Sequence, residues 1–439
     1  MSGGQVLENS QFYVLRTLVQ KKTIFSQELM DFAKVRRFNS PGFYFVSFVI
    51  PILAHERLGA GGPEMGLLFS LQIAGSMLAA PISGKLSNQR HLRGPLILFG
   101  TLGRALSYLV IYAAILQEIY WLMVAGIMCL GVGAGLFWTP MEATIADAVD
   151  YKHRAQAFGY ASRQDGIGSI VGSIFAFSLW TIASHQNYPL WISLLSFPIF
   201  SIANAYAGFH VSQLIRKVAI RSQDVSLPNY NSTAMYRTIL ANTYIKKFLV
   251  RLLSLLFVES VTNALVTPFL QVYLLMHVTS DKTKLSLLYM PGAIVAMFLS
   301  PELGKFADRI KPHFWLAIAC FVSAFSTYII ISSRSTLAIM AAFIIQSLSG
   351  MAAQLAIAKA FSEVIPSQRG SIIGLRSFVT QAGGLIGPIL GGVAWNFMGD
   401  KSPFVTAIGM RIVLGTTYLV FMAGSFALLH TPNSQAEHS

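Results

Sequence analysis

Residues 94–116 read GPLILFGTLGRALSYLVIYAAIL, and residues 119–146 read IYWLMVAGIMCLGVGAGLFWTPMEATIA. Each is apolar throughout and carries one charged side chain, Arg104 in the first and Glu142 in the second. A helix needs about 20 such residues to cross a bilayer. The apolar character is continuous rather than alternating, which excludes a membrane β-barrel.

Ten further segments of this kind lie around the pair, at 41–58, 63–83, 155–184, 187–212, 247–277, 284–303, 312–333, 335–361, 369–397 and 402–430. A polar stretch, 213–246, divides the twelve into six plus six. The expected fold is an all-α membrane protein with twelve transmembrane helices in two pseudo-symmetric six-helix bundles, 41–212 and 247–430. Residues 1–40 form an arm before them, and 431–439 a short tail.

Composition agrees. The 439 residues are 54% hydrophobic and 11% charged, against about 25% charged in soluble domains. Soluble enzymes, disordered scaffolds and disulfide-rich modules are poor fits. Cys129 and Cys320 both sit inside apolar segments and make no metal-ligand or disulfide pattern.

The net charge is +14. On a soluble chain this would suggest nucleic acid; on a membrane chain it reports orientation. The N-terminal arm, the central loop and the other even-numbered connections hold 22 Lys and Arg; the odd-numbered connections hold five. Both termini and the central loop are therefore expected in the cytoplasm, and no nucleic-acid partner is expected. Of the +14, +12 lies on that side, 0 on the other and +2 in the spans. The arm carries Phe12, Leu15, Leu18, Phe25, Leu29 and Phe32 at spacings that suit an amphipathic helix on a membrane surface. No cleavage pattern marks it as a secretory signal.

The halves repeat. Pro51 and Pro268 stand 217 residues apart, as do Pro95 and Pro312. Pro81, Gly84 and Lys85 match Pro301, Gly304 and Lys305 at 220. Arg154, Gly159, Gly168 and Gly172 match Arg369, Gly374, Gly383 and Gly387 at 215. Repeated bundles with a site between them are a common build for secondary transporters.

Gly304-Lys-Phe-Ala-Asp308-Arg309-Ile-Lys311 follows the eighth segment, and Gly84-Lys-Leu-Ser-Asn88-Gln-Arg90-His-Leu-Arg93 follows the second. These resemble the loop signature of the major facilitator superfamily, with Asn88 replacing the acid in the first copy. The resemblance implies gating contacts on the cytoplasmic side: Asp308 and Arg309 with Arg369 and Glu363, and Arg90 with Asp147. Arg154 joins this set. In segment 11, Gly374, Gly383, Gly387-Pro388 and Gly391-Gly392 reproduce the glycine-proline spacing of drug/proton antiporters. That family carries it in segment 5, where Ser173 here replaces the proline. Such a helix packs closely and can bend at Pro388.

Eight ionisable groups lie in spans, where they are expensive and suggest function. They are Glu142, Asp165, Glu259, Arg104, Arg163, Lys359, Arg376 and Arg411. By resemblance, segments 1, 4, 7 and 10 line the central cavity, which places Glu142, Glu259 and Lys359 there. Glu142 and Lys359 read as either a proton-exchanging pair or a static bridge. Arg163 and Asp165 are two apart on one helix and point to different faces; Asp165 is expected to meet Arg376. Arg104 suits packing or an interface, Arg411 snorkelling to the outer surface, and His55 an exposed position. Tyr44, Trp138, Asn263, Gln271, Tyr273, Tyr289, Gln346 and Gln354 are candidate cavity residues.

No phosphate-binding loop, nucleophile triad or zinc spacing is present, so neither an enzyme nor a cofactor is expected. The resemblance implies a monomeric transporter in the plasma membrane, working by alternating access on a small organic solute. Proton coupling and efflux are the leading expectation. Uptake or uniport of an organic anion is the alternative, and a non-transporting sensor a more distant one.

Overall fold

The computed structural model describes residues 27–87, 89–148, 154–221, 243–281, 284–285, 287–288, 291–292, 294–295, 299, 311–364 and 369–429. Every described element is helical. In chain order they are α1 (Gln27–Lys34), α2 (Arg36–Asn39), α3 (Phe43–Leu58), α4 (Gly62–Ser87), α5 (Arg90–Leu116), α6 (Tyr120–Asp147), α7 (Arg154–His185), α8 (Leu190–Ser193) and α9 (Ser196–Arg221). The second half holds α10 (Thr243–Val266), α11 (Leu270–His277), α12 (Pro312–Ser332), α13 (Thr336–Val364), α14 (Arg369–Met398) and α15 (Ser402–Leu429).

Among the described residues, ten helices are long and apolar enough to cross a membrane. Without water, backbone polar groups must be satisfied within the helix, which is why uninterrupted apolar runs become helices. The breaks carry their own causes. α3 stops at Gly59, whose φ of 63° is the left-handed cap that glycine adopts freely. Pro312 opens α12 at a position where its missing N–H costs nothing. Pro268 lies in the break between α10 and α11, whereas its repeat partner Pro51 lies inside α3. The two halves therefore match in sequence order but not in the path of their first helices.

The repeat is visible in the packing. A methyl group added at Gly168 or Gly172 of α7 would lie 2.2 Å from the backbone oxygen of Arg37 or Pro41. In the second half, one added at Gly383 or Gly387 of α14 would lie 2.7 or 2.6 Å from the backbone oxygen of Phe257 or Val261 in α10. In each half the same glycine pair lets the fifth segment lie directly on backbone at or just before the first. Small residues govern such contacts because lipid offers no hydrophobic drive between helices.

Of the arm's apolar residues, Phe12, Leu15, Leu18 and Phe25 lie outside the described residues, whereas the described end, α1 and α2, packs into the N-terminal bundle. Leu29, Phe32, Ala33 and Val35 are buried in a cluster with Ile97, Phe137, Ile145, Ala161 and Val211. The described part of the arm continues segment 1 into the N-terminal bundle. Large apolar side chains instead stand exposed on the outer faces of the bundles, among them Phe99, Trp121, Ile202, Leu337, Phe397 and Val413. A patch of this extent is a lipid-facing surface.

The halves meet along α4 and α14. An added methyl at Gly62 would lie 2.6 Å from the Gly392 oxygen, and one at Gly66 2.3 Å from the Pro388 oxygen. Ser70 Oγ donates to the Leu385 oxygen at 2.7 Å, and Ser76 Oγ to Gln381 Oε1 at 2.9 Å. The remainder of α4 leaves the seam: Leu78 and Ile82 are exposed, and the neighbour nearest Gly84 is Thr139, within its own bundle. The described seam thus closes the end where α3 turns into α4.

Candidate functional site

Charge is concentrated in two groups, one per bundle. In the N-terminal group Arg36 of α2 is 5% exposed. Its Nε donates to Asp165 Oδ1 at 2.9 Å, and its Nη2 pairs with Asp165 Oδ2. Ser40 Oγ donates to the same Oδ1 at 2.9 Å, and Arg37 Nε donates to Gln164 Oε1. The Arg36 guanidinium lies 4.7 Å above the Trp138 ring, a stacking geometry that favours the cation. The break between α2 and α3 aims Arg36 and Ser40 at α7, and Gly168 and Gly172 bring α7 close enough for them to reach. Glu142 follows Trp138 by one turn of α6. It is exposed in the isolated protein and lies within electrostatic reach of Arg36 and Asp165.

In the C-terminal group Glu259 of α10 is half-buried and accepts from Tyr418 Oη at 3.2 Å. Arg411 of α15 is 5% exposed. It donates to Asn263 Oδ1 at 3.1 Å, to the Ser323 oxygen at 3.3 Å and to Thr327 Oγ1. Arg376 of α14 donates to Gln354 Oε1 at 2.7 Å. Both arginines lie within electrostatic reach of Glu259. A carboxylate in each half thus sits among cations, the arrangement that makes an ionised acid tolerable away from water.

Three expected placements are corrected. Asp165 meets Arg36 in its own bundle, not Arg376, because the glycine contacts hold α7 against α2. Arg411 does not snorkel outward; it is buried across α10, α12 and α15. Asp147 pairs with Arg93 at 2.8 Å, not with Arg90. Arg93 also donates from Nε to the Ser87 oxygen at 2.7 Å. That pair links α6 to the start of α5 within one bundle, so it braces the bundle and does not latch the two halves. Arg93→Ala is expected to lower stability by about 1.5–3 kcal/mol, the worth of hydrogen bonds to charged groups, read as a lower melting temperature of the purified protein.

Arg163 is exposed, on a different face of α7 from Asp165. Gln271 and Tyr273 are buried, and Tyr273 Oη donates to the Ile331 oxygen at 3.0 Å, away from the charge groups. His55 bonds the Ala60 oxygen at 3.1 Å. The side chains of Tyr44, Arg154, Lys359, Glu363 and Arg369, together with Tyr289, Gly304, Asp308 and Arg309, lie outside the described residues. Sequence reasoning missed Arg36, Ser40, Arg93 and Tyr418. For Arg36 a signal existed: Leu29, Phe32 and Val35 continue at helical spacing into segment 1.

The model of the Major Facilitator Superfamily matches residues 38–388 and again 252–437. The chain belongs to the Major Facilitator Superfamily. Two overlapping matches are what its repeated bundles would produce. Among curated relatives, the class H tetracycline resistance protein of Pasteurella multocida is 22% identical over 80% of this chain and 84% of its own length. The multidrug resistance protein MdtG of Proteus mirabilis is 26% identical over 65% and 68%. Among solved structures, a nucleoside transporter, NupG, superposes with a TM-score of 0.65 at 13% identity, covering 91% of this chain and 98% of its own. A human organic anion transporter gives 0.58 at 14% identity, over 89% and 99%. The likeness is one of fold, and the expected architecture of twelve helices in two bundles fits it. The chain is an integral membrane transporter, not an enzyme, and its cargo is a small-molecule solute.

Proposed function

We propose that the chain is a proton-coupled transporter that exports a small organic or amphipathic solute from the cytoplasm by alternating access. The observation that carries this reading is the placement of Glu142 and Glu259, one acid in each bundle, each within electrostatic reach of buried arginine. Efflux is supported by the tetracycline and multidrug resistance relatives. The reading places the protein in the plasma membrane as a monomer, with both termini in the cytoplasm by the Lys and Arg balance. In that orientation the α4–α14 seam lies on the outer side.

The physical logic is a matching rule. An ionised acid must have a base beside it before the cavity closes over it; a protonated acid needs none. Rocking the bundles changes which bases Glu142 and Glu259 face, so each half-cycle favours a different proton occupancy. Lys359 is retained as a partner for Glu142, and Arg163 as a group available to solute.

The test is uptake into proteoliposomes under an imposed pH gradient, with a panel of tetracyclines, lipophilic cations and organic acids. Wild type is expected to accumulate at least one of these only when the gradient is present. Glu142→Gln and Glu259→Gln should abolish gradient-driven accumulation and keep downhill exchange. Gradient dependence that survives in both variants would remove these acids from the coupling path.

Uptake or uniport of an organic anion is the second reading. It is favoured by one observation: Arg36, Arg104 and Arg411 are all buried within the bundles. The same panel separates the two readings by which class accumulates and in which direction.

A further inference from the structure

Tyr418 of α15 is 0% exposed. It lies in an apolar cluster with Leu249, Leu252 and Leu256 of α10 and with Leu316 and Cys320 of α12. A phenylalanine would fill the same space. A hydroxyl buried among apolar side chains is costly unless it is paired, and this one donates to Glu259 Oε2 at 3.2 Å. Glu259 is half-buried, and among the described residues its other oxygen, Oε1, accepts no hydrogen bond. One oxygen is thus held from the enclosed side, and the other is left for a proton.

The contacts beside this one fix α15 against α10. Asn263 lies one turn along α10 from Glu259, and its Oδ1 accepts from Arg411 Nη2 at 3.1 Å. Between them Thr262 Oγ1 meets Met410 Sδ at 3.7 Å. Arg411 also donates to the Ser323 oxygen and to Thr327 Oγ1 of α12, so its charge is anchored near the acid by bonds to other groups. The titratable and charged groups that act on Glu259 among the described residues are Tyr418 and Arg411 of α15, Arg376 of α14 and Cys320 of α12. Of these, Tyr418 is the one that bonds it.

We propose that Tyr418 is a positioning residue for this acid: its hydroxyl holds Oε2 in both proton states, and Oε1 exchanges the proton with water. A phenol O–H donates equally to a carboxylate oxygen and to the carbonyl oxygen of the protonated acid. The contact therefore survives as the proton comes and goes, and the carboxyl plane keeps its orientation. This inference rests on the reading of Glu259 as a coupling acid.

The test compares full-length wild type, Tyr418→Phe, Glu259→Gln and Thr262→Val in proteoliposomes. Tyr418→Phe keeps the ring that fills the cluster. Thr262→Val cuts another polar contact between α10 and α15 and is the control for packing. Infrared difference spectra between acid and alkaline buffer, with those of Glu259→Gln subtracted, isolate the Glu259 carbonyl stretch. That band is expected to rise in frequency in Tyr418→Phe, which lacks the donor, and to stay in place in Thr262→Val. For the panel solute that wild type accumulates, the ratio of gradient-driven to downhill transport should fall about tenfold in Tyr418→Phe, as loss of a hydrogen bond to a charged group does. Thr262→Val should keep the wild-type ratio. An unmoved band in Tyr418→Phe, or an unchanged ratio there while Glu259→Gln abolishes gradient-driven transport, overturns the role of Tyr418 alone. Gradient dependence that survives in Glu259→Gln, or is missing in wild type, overturns the reading of the acid and the role of Tyr418 with it.

Discussion

Arg36→Gln is expected to cost about 3–5 kcal/mol, because it leaves the Asp165 carboxylate enclosed without its cation. The geometry explains the size. Arg36 is 5% exposed, reaches Asp165 through both Nε and Nη2 and lies over Trp138. Ser40 alone would then hold the acid. The double variant Arg36→Gln with Asp165→Asn should recover most of the loss, since amide and amide can pair without a buried charge. Melting temperatures of the two single variants and the double variant form a cycle, and a coupling energy near zero would mean that the pair contributes nothing to the bundle. Transport by Arg36→Gln is expected to fall with the fraction folded.

Gly66→Leu is expected to shift the balance between the two end states. A methyl group at Gly66 already falls 2.3 Å from the Pro388 oxygen, and that oxygen belongs to helix backbone that cannot turn aside. Overpacking of this kind costs about 1–3 kcal/mol, which is about 5–150-fold in a two-state equilibrium. The cost falls only on the state in which α4 and α14 touch, because Gly66 has no such neighbour when they part. The readout is a cysteine at Ser70, which is 3% exposed and donates to Leu385 across the seam. With Cys129 and Cys320 replaced, its labelling rate should rise by the same factor in the Gly66→Leu background. An unchanged rate would mean that the seam does not open in the working cycle.

The glycine positions show how much of the packing was readable in advance. Gly168 and Gly172 recur as Gly383 and Gly387 in the sequence; the first pair touches the backbone of Arg37 and Pro41, where the arm runs into segment 1, and the second the backbone of segment 7. A glycine stripe is a local pattern with one efficient use, so its packing could be anticipated. The charge partners could not. Arg90 and Arg93 are about one turn apart at the start of α5, and their spacing from Asp147 along the sequence does not separate them. The pair forms with Arg93, whose guanidinium is also held by the Ser87 oxygen.

Arg36 and Arg411 teach the same lesson from opposite ends. In the sequence Arg36 belongs to the basic arm that sets orientation, and Arg411 lies near the outer end of segment 12. Both are buried. The periodicity of Leu29, Phe32 and Val35 contained the information for Arg36, but a surface helix and a docked helix share that periodicity.

What the sequence by itself determined is the number of spans, their division into two repeated halves and the glycine faces by which they pack. These follow from bilayer thickness and from the need of each backbone group for a partner within its own helix, both properties of contiguous residues. Only the tertiary structure decided which acid meets which base, that α1 and α2 pack into the bundle, and where the halves touch. Those outcomes depend on the rotation and depth of one helix against another. Such quantities arise from many packed side chains at once, and no spacing along a single segment contains them.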